Sequence, residues 1–188
     1  MLWLWALLLS RGLVACTSSS DRPQTTRMTA GDFVEMAGQM AQSLIHSDAV
    51  GERRPDSPRW VVSINKVQNL SSDVMTEPEQ WAIMARLRGA MPIQSLWDLK
   101  NVRFVIPPQR VVALRHHPDA VEFGASFGSR RQPTHMMTAT FRSITRAQAT
   151  RRIDLYYCEF EILDLDTGQT VWTDRFEYKR AARGHIWD

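Results

Sequence analysis

Ser126 is the first residue whose type and surroundings could do chemistry, because residues 124–128 (GASFG) match the G-x-S-x-G pattern of serine hydrolases. That pattern is catalytic when it forms a sharp turn between a strand and a helix, and an Asp and a His must follow it in the chain. His185 satisfies the chain order, but the run SRRQP after the motif is typical of a loop. We therefore expect no catalytic role for Ser126, and we expect that the protein is not an enzyme.

The histidines are the other residues that could bind a metal ion or carry a proton. His116 and His117 are adjacent, so their side chains point apart on a strand and diverge by about 100° on a helix. His135 and His185 are isolated, and the chain contains no P-loop, dinucleotide-binding or H-E-x-x-H motif. The cysteines and histidines also lack the spacing of a zinc site. The sequence therefore predicts no metal and no cofactor.

Cys16 is the residue for which the sequence indicates covalent modification. The 15 residues before it, MLWLWALLLSRGLVA, include an apolar run of eight residues, and a membrane-spanning helix needs roughly 20. The stretch Leu13-Val14-Ala15-Cys16 resembles the lipobox of bacterial lipoproteins, in which a signal peptidase cleaves before a cysteine that becomes acylated. We therefore predict a lipoprotein signal peptide over residues 1–15, cleavage between Ala15 and Cys16, and a lipid anchor on Cys16.

The residues after the cysteine indicate where the anchored chain would reside. Thr17 stands where Asp is the familiar signal for retention in the inner membrane, so the resemblance implies the outer membrane, with the domain in the periplasm. Three acyl chains make such an anchor effectively permanent. Residues 16–30 are mostly polar and predict a flexible tether that reaches about 50 Å when stretched. Residues 31–188 are predicted to form the folded domain.

Length, composition and charge limit the class of protein. The chain has 188 residues, of which 44% are hydrophobic and 23% are charged, as expected for one globular domain. Its 23 basic and 20 acidic residues give a net charge of +3, which is too small to indicate a nucleic-acid partner. With Cys16 acylated, Cys158 is the remaining thiol, and we expect it to lie in the core.

Arginines concentrate in the second half of the chain, around one predicted strand and its flanking loops. The set comprises Arg130, Arg131, Arg142, Arg146, Arg151 and Arg152. Such runs are usually solvated faces, and the alternative is a rim that meets an acidic partner protein or an anionic wall polymer. On that alternative, Arg130, Arg131 and Arg142 are the predicted partner-binding residues.

Hydrophobic periodicity predicts the elements that position these residues. Helices are predicted over residues 31–46, from residue 76 to about residue 99 in one or two pieces, and over residues 111–123. Strands are predicted over residues 60–67, 102–106, 134–145, 153–164 and 170–179, with a hairpin turn at Gly168. The expected fold is α+β (mixed α/β): a single sheet of about four to five strands with a C-terminal antiparallel meander, packed against two to three helices.

Three stretches carry the motifs of a known family: VVSINKVQNLSSD (residues 61–73), PEQWAIMARLRG (78–89) and IDLYYCEFEILDLDTGQTVWTDRFEYKR (153–180). They resemble the first strand, the following helix and the C-terminal hairpin of the LpoB family of penicillin-binding protein activators. That family is related in fold to the N-terminal domain of TolB and to CsgG. The resemblance implies an outer-membrane lipoprotein, without catalysis, that binds a bifunctional penicillin-binding protein and stimulates its peptidoglycan synthesis.

Two alternatives remain open at this point. The chain could be a subunit of an envelope assembly or secretion apparatus, in the manner of TolB and CsgG, or a structural envelope lipoprotein without an enzyme partner. An activator is expected to be a monomer, whereas a secretion subunit forms rings or filaments. No amphipathic hairpin long enough to line a pore is evident outside the core strands, which favours the monomer. A tether of about 50 Å, however, is short for reaching an inner-membrane enzyme.

Overall fold

The computed structural model describes residues 26–107, 110–112, 132–148 and 151–183. Its helices are α1 (Ala30–His46), α2 (Asp48–Gly51), α3 (Glu77–Ala90) and α4 (Ile93–Lys100), and its strands are β1 (Trp60–Asn69), β2 (Val102–Val105), β3 (His135–Gln148), β4 (Arg151–Asp164) and β5 (Thr170–Arg183). All five strands form one sheet in the order β2-β1-β3-β4-β5. The predicted α+β class with a single sheet is confirmed.

Capping boxes start the two long helices, close to the predicted starts at residues 31 and 76. The Asp32 carboxylate accepts a hydrogen bond of 2.6 Å from the Thr29 amide, and the Thr29 hydroxyl accepts one from the Asp32 amide. At α3 the Thr76 amide donates to Glu79 at 2.7 Å. The predicted second helix is divided into α3 and α4 around Pro92, which has no amide hydrogen with which to continue a helix.

The sheet combines parallel and antiparallel pairing. β1 pairs in parallel with β2 on one side and with β3 on the other, whereas β3, β4 and β5 form the predicted antiparallel meander. Ile64 of β1 lies opposite Met137 and Val67 lies opposite Ala139, so β1 contains one extra residue there. Such bulges are rare in parallel pairs and redirect side chains. β2 pairs only with residues 60–63 of β1, so the bulge lies beyond the end of β2.

One face of the sheet packs against α1 and α3 and forms the core. Apolar side chains from both helices, led by Met36, Leu44, Met84 and Leu87, form one buried cluster with the buried residues of β1, β3, β4 and β5. Cys158 is fully buried there, as predicted, and burial raises the pKa of its thiol. We call the opposite face of β3–β5 the outer face.

The turn between β4 and β5 has the predicted hairpin geometry. Gly168 has φ +71°, a left-handed conformation that glycine adopts without steric cost. The Asp164 carboxylate accepts hydrogen bonds from the amides of Asp166 and Thr167 at 2.8 and 3.0 Å. These backbone hydrogen bonds lower the pKa of Asp164 and hold the turn closed.

The folded domain begins before residue 31. Thr26 is fully buried, and its hydroxyl donates a hydrogen bond to Asp154 of β4. Met28 packs against the core, and Thr29 caps α1. Residues 26–29 of the predicted tether are therefore part of the domain. The predicted signal peptide, Cys16 and residues 113–123 of the predicted third helix lie outside the described residues.

Candidate functional site

A concave site lies beside the bulge of β1, where α3, the outer face of β3 and the segment after β2 meet. It consists of an apolar pocket of about 200 Å³ and a polar groove of about 790 Å³. Trp81, Pro107 and Arg110 line both hollows and therefore make them one continuous surface. We call this surface the Trp81 site.

The apolar pocket lies between β1, α3 and the end of β2. Ile64 and Met84 form its floor and are themselves buried in the core, while Val105, Ile106 and Pro107 form its opposite wall. Ile106 remains 40% exposed at the rim. A small apolar pocket of this kind accommodates one aliphatic or aromatic anchor side chain of a partner.

The polar groove runs from the bulge of β1 across the outer face of the sheet. Its floor is formed by outer-face residues of β3 and β4, including Thr138 and Glu161, which are joined by a hydrogen bond of 3.0 Å. Asn65, Lys66 and Gln68 line it from β1. The extra residue of the bulge falls within this stretch, between Ile64 and Val67, so the bulge places amide and amino groups at the edge of the groove.

Charged contacts hold Trp81 at the junction of pocket and groove. The Trp81 indole donates a hydrogen bond of 3.3 Å to Glu77, and the Arg110 guanidinium lies 4.3 Å from the centroid of the Trp81 ring. The Lys66 amino group lies 3.1 Å from the Glu77 carboxylate, and this hydrogen bond lowers the pKa of Glu77. These contacts restrain the orientation of the Trp81 ring.

The chemistry of the Trp81 site suits recognition. Tryptophan and arginine are the residues that most often dominate binding energy at protein interfaces, and polar side chains around them supply specificity.

Among the residues that the structure describes, no group of three or more His, Cys, Asp or Glu side chains could hold a metal ion. In the same part of the chain, no helix is long and apolar enough to cross a membrane.

The predicted site residues lie elsewhere. Arg142 is on the outer face of β3, two residues beyond Thr140 of the groove, and does not itself line the Trp81 site; its guanidinium lies 3.1 Å from the Glu159 carboxylate across the β3–β4 pair. Both side chains are partly exposed, at 37% and 49%. The other predicted residues fall outside the described residues: Ala15, Cys16, Arg130 and Arg131, together with Ser126, His116, His117 and His185.

His135 is buried at the start of β3, where its ring lies 4.2 Å from the ring of Trp60. Its Nδ1 is 2.8 Å from the Thr134 hydroxyl, and Asp164 lies 3.9 Å from its Nε2. Burial lowers the pKa of His135, although Asp164 opposes that shift. The Thr134 hydroxyl and the Asp164 carboxylate thus lie beside the two ring nitrogens of this isolated histidine.

Trp81 lies in the predicted second helix and is not among the site residues predicted from the sequence. Its spacing from Met84 and Leu87 is indeed helical, and both of those residues are fully buried. Trp81, by contrast, is partly exposed at the rim of the site. A signal was available in Glu77, which is one helical turn before Trp81 and can accept its indole hydrogen.

Comparison with known proteins finds solved structures that align with this chain at low sequence identity. No family model and no curated protein matches the chain. The LpoB C-terminal domain from Escherichia coli aligns with a TM-score of 0.46 at 10% identity, covering 78% of this chain and 98% of that chain. The LpoB C-terminal domain from Salmonella enterica aligns at 0.44 and 12%, with the same coverage of 78% and 98%. A lipoprotein from Neisseria meningitidis aligns at 0.38 and 14%, covering 65% and 83%.

Proposed function

We propose that this chain is an outer-membrane lipoprotein, anchored through Cys16, whose periplasmic domain binds and activates a penicillin-binding protein through the Trp81 site. Its action would be binding without catalysis. The observation that supports partner binding is the junction of an apolar pocket and a polar groove at one preoriented tryptophan. The lipobox and the family motifs of the sequence support the anchor and the class of partner.

Preorganisation of Trp81 favours binding. Arg110 and Glu77 already contact its ring and its indole nitrogen, so little side-chain freedom is lost when a partner covers it. The pocket would take an apolar anchor of the enzyme, and the Lys66–Glu77 pair would fix the orientation of polar groups beside it.

The partner must come close to the outer membrane. Thr26 is already part of the domain, so the free tether spans only residues 16 to 26, a difference of 10 residues. Ten residues reach about 35 Å when fully extended. An enzyme of the inner membrane would therefore have to extend its own periplasmic domain outward to meet the Trp81 site.

Capture from envelope extract tests this proposal. The tagged chain is used as bait after cross-linking, and the retained enzymes are labelled with a fluorescent penicillin. We expect a labelled band with the wild type and a loss of at least about tenfold with Trp81→Ala. Trp97→Ala is the matched control, because Trp97 is also partly exposed but lies on α4 outside the Trp81 site. A band unaffected by Trp81→Ala would assign binding to another surface, and no band would remove the enzyme as partner.

One observation favours the second candidate, a subunit of an envelope assembly. β5 is an edge strand of 14 residues in a five-stranded sheet, and a long edge strand can pair with another copy of the chain. Light scattering of the purified chain separates the candidates. A monomer that retains the labelled enzyme supports the activator, whereas a ring or filament without an enzyme supports the assembly subunit. A monomer that retains no labelled enzyme supports the structural lipoprotein.

A further inference from the structure

Positive charge concentrates at one end of the antiparallel meander. We define the distal end as residues 143–148 of β3, 151–155 of β4 and 178–183 of β5, which the strand pairing brings side by side. These three stretches contain six basic residues, Arg146, Arg151, Arg152, Lys179, Arg180 and Arg183, and one acidic residue, Asp154. The distal end therefore differs sharply from the whole chain, whose net charge is only +3.

The charged side chains that remain exposed at the distal end, after internal ion pairs are taken into account, are positive. Asp154 is fully buried and lies 2.9 Å from Arg152, so it offers no negative charge to the surroundings. Arg180 is paired with Asp32 of α1 at 2.7 Å. Arg146, Arg151 and Lys179 are exposed.

Apolar side chains lie among these cations on the outer face. The strand register places Ile144 beside Leu155 and Leu155 beside Lys179, while Arg146 lies beside Ile153. Ile144 is 49% exposed, although it is a large aliphatic residue in a strand. Exposed aliphatic side chains interspersed with Arg and Lys are the composition of surfaces that rest on anionic membranes.

The tether enters the domain at this same end. Thr26 contacts Asp154, which is three residues from Arg151 and thus about 10 Å from it along β4. Ten residues separate Thr26 from the predicted acylation site at Cys16. Ten residues span at most about 35 Å, so an acyl anchor on Cys16 would hold the distal end near the bilayer.

We propose that the distal end lies against the phospholipid headgroups of the membrane that holds the acyl anchor. Arg146, Arg151 and Lys179 contact lipid phosphates, and Ile144 reaches the boundary of the acyl region. The point of tether entry and the absence of exposed acidic residues in the distal end favour a lipid surface over a protein as its occupant. The proposal rests on lipid anchoring at Cys16, and it leaves the Trp81 site for the protein partner.

The acylated full chain in vesicles tests this orientation. A fluorescent dye is attached to Ile144→Cys or, as a matched control, to Leu165→Cys in the β4–β5 turn, because these residues are 49% and 47% exposed and lie at opposite ends of the meander. Cys158 is buried, and the proposed acylation of Cys16 would block its thiol, so the introduced thiol takes the dye. Quenching by nitroxide headgroup lipids is compared in vesicles with and without phosphatidylglycerol.

We expect quenching at residue 144 to exceed that at residue 165 by about threefold or more in the anionic vesicles. Arg146→Glu combined with Arg151→Glu should abolish the difference. Arg54→Glu combined with Arg59→Glu is the control for charge, because both of these arginines are exposed and precede β1. It should leave the difference intact.

The outcomes separate this proposal from the proposed function. A chain that floats with the vesicles but shows equal quenching at both positions is anchored, and only the distal-end contact is overturned. If quenching at residue 144 exceeded that at residue 165 by the same factor in neutral and in anionic vesicles, the electrostatic contact would likewise be refuted. A chain that does not float contradicts lipid anchoring itself and, with it, the orientation that depends on it.

Discussion

The hydroxyl of Tyr156 donates a hydrogen bond of 2.8 Å to the carboxylate of Asp73, which joins the middle of β4 to the loop after β1. Burial raises the pKa of Tyr156 most, and the hydrogen bond to Asp73 raises it further. The Tyr156 hydroxyl therefore remains a donor throughout the physiological pH range. Asn69 also donates to the Asp73 carbonyl at 2.7 Å. This loop leads directly into α3, so these contacts help to position Trp81.

Removing that hydroxyl should destabilise the domain. Tyr156→Phe leaves Asp73 without its donor, and we expect the free energy of unfolding in urea to fall by about 1 to 2 kcal/mol. Tyr157→Phe, one residue along on the outer face, is the control and should change it by less than about 0.5 kcal/mol. Equal effects of the two substitutions would show that the Tyr156–Asp73 bond contributes nothing particular.

Asp32 should make the domain sensitive to acid. Burial raises its pKa, but hydrogen bonds from Thr29 and Arg180 outweigh burial and hold the pKa below its usual value. A carboxyl group whose pKa is depressed on folding stabilises the fold above its unfolded pKa, near 3.9, and that stability is lost as the pH falls further.

Asp32→Asn should therefore cost about 2 kcal/mol at neutral pH and flatten the loss of stability below about pH 4. Urea unfolding across this pH range measures both effects. Glu35→Gln, on the exposed side of the same helix, is the control and should alter neither. An unchanged acid profile in Asp32→Asn would mean that another carboxyl group controls it.

His135 should act in a different pH window. Its folded pKa is lowered by burial, so the unfolded chain binds the proton more readily, and stability should fall as the pH drops below about 6.5. His135→Phe retains the contact with the Trp60 ring and should remove this dependence. The free energy of unfolding, measured at about pH 5.5 and about pH 7.5, tests this pH dependence. His46→Gln on α1 is the control and should leave the dependence in place. A dependence that persists in His135→Phe would contradict the assignment.

The two glycines Gly168 and Gly38 should respond to alanine with opposite signs. Gly168→Ala places a side chain at φ +71° and should cost about 1 kcal/mol of unfolding free energy. Gly38 lies inside α1 with nothing within 4 Å of an added Cβ, so Gly38→Ala should stabilise the domain by about 0.5 to 1 kcal/mol. Thermal unfolding measures both changes: a stabilised Gly168→Ala would contradict this account of the turn, and a destabilised Gly38→Ala would contradict the open position in α1.

Cys158 should be chemically inert in the folded domain. Burial raises its thiol pKa, and the side chain has no exposed surface. We expect a thiol reagent to modify Cys158 only after unfolding in urea, whereas the cysteine of the exposed Leu165→Cys variant should react at once. Rapid modification of Cys158 under native conditions would indicate local opening of β4.

Local patterns determined much of the fold. Alternation along β4 placed Cys158 in the core, and Gly168 marked the hairpin, because side-chain periodicity and turn chemistry depend only on neighbouring residues. The capping boxes at Thr29 and Thr76 marked the helix starts for the same reason. The boundary of the domain was less well determined, because the burial of Thr26 depends on Asp154, a residue 128 positions away.

The sites depended on tertiary structure. β1 lies between β2 and β3 and has a bulge at residues 64–67. Both features depend on parallel pairing between distant segments, which no local pattern encodes. That pairing brings Trp81, Arg110 and Lys66 to one groove. The register of β3, β4 and β5 likewise assembles the distal end and places Arg142 outside it. The sequence by itself determined which residues are apolar, charged or turn-forming, whereas only the packing of distant strands decided which of them meet.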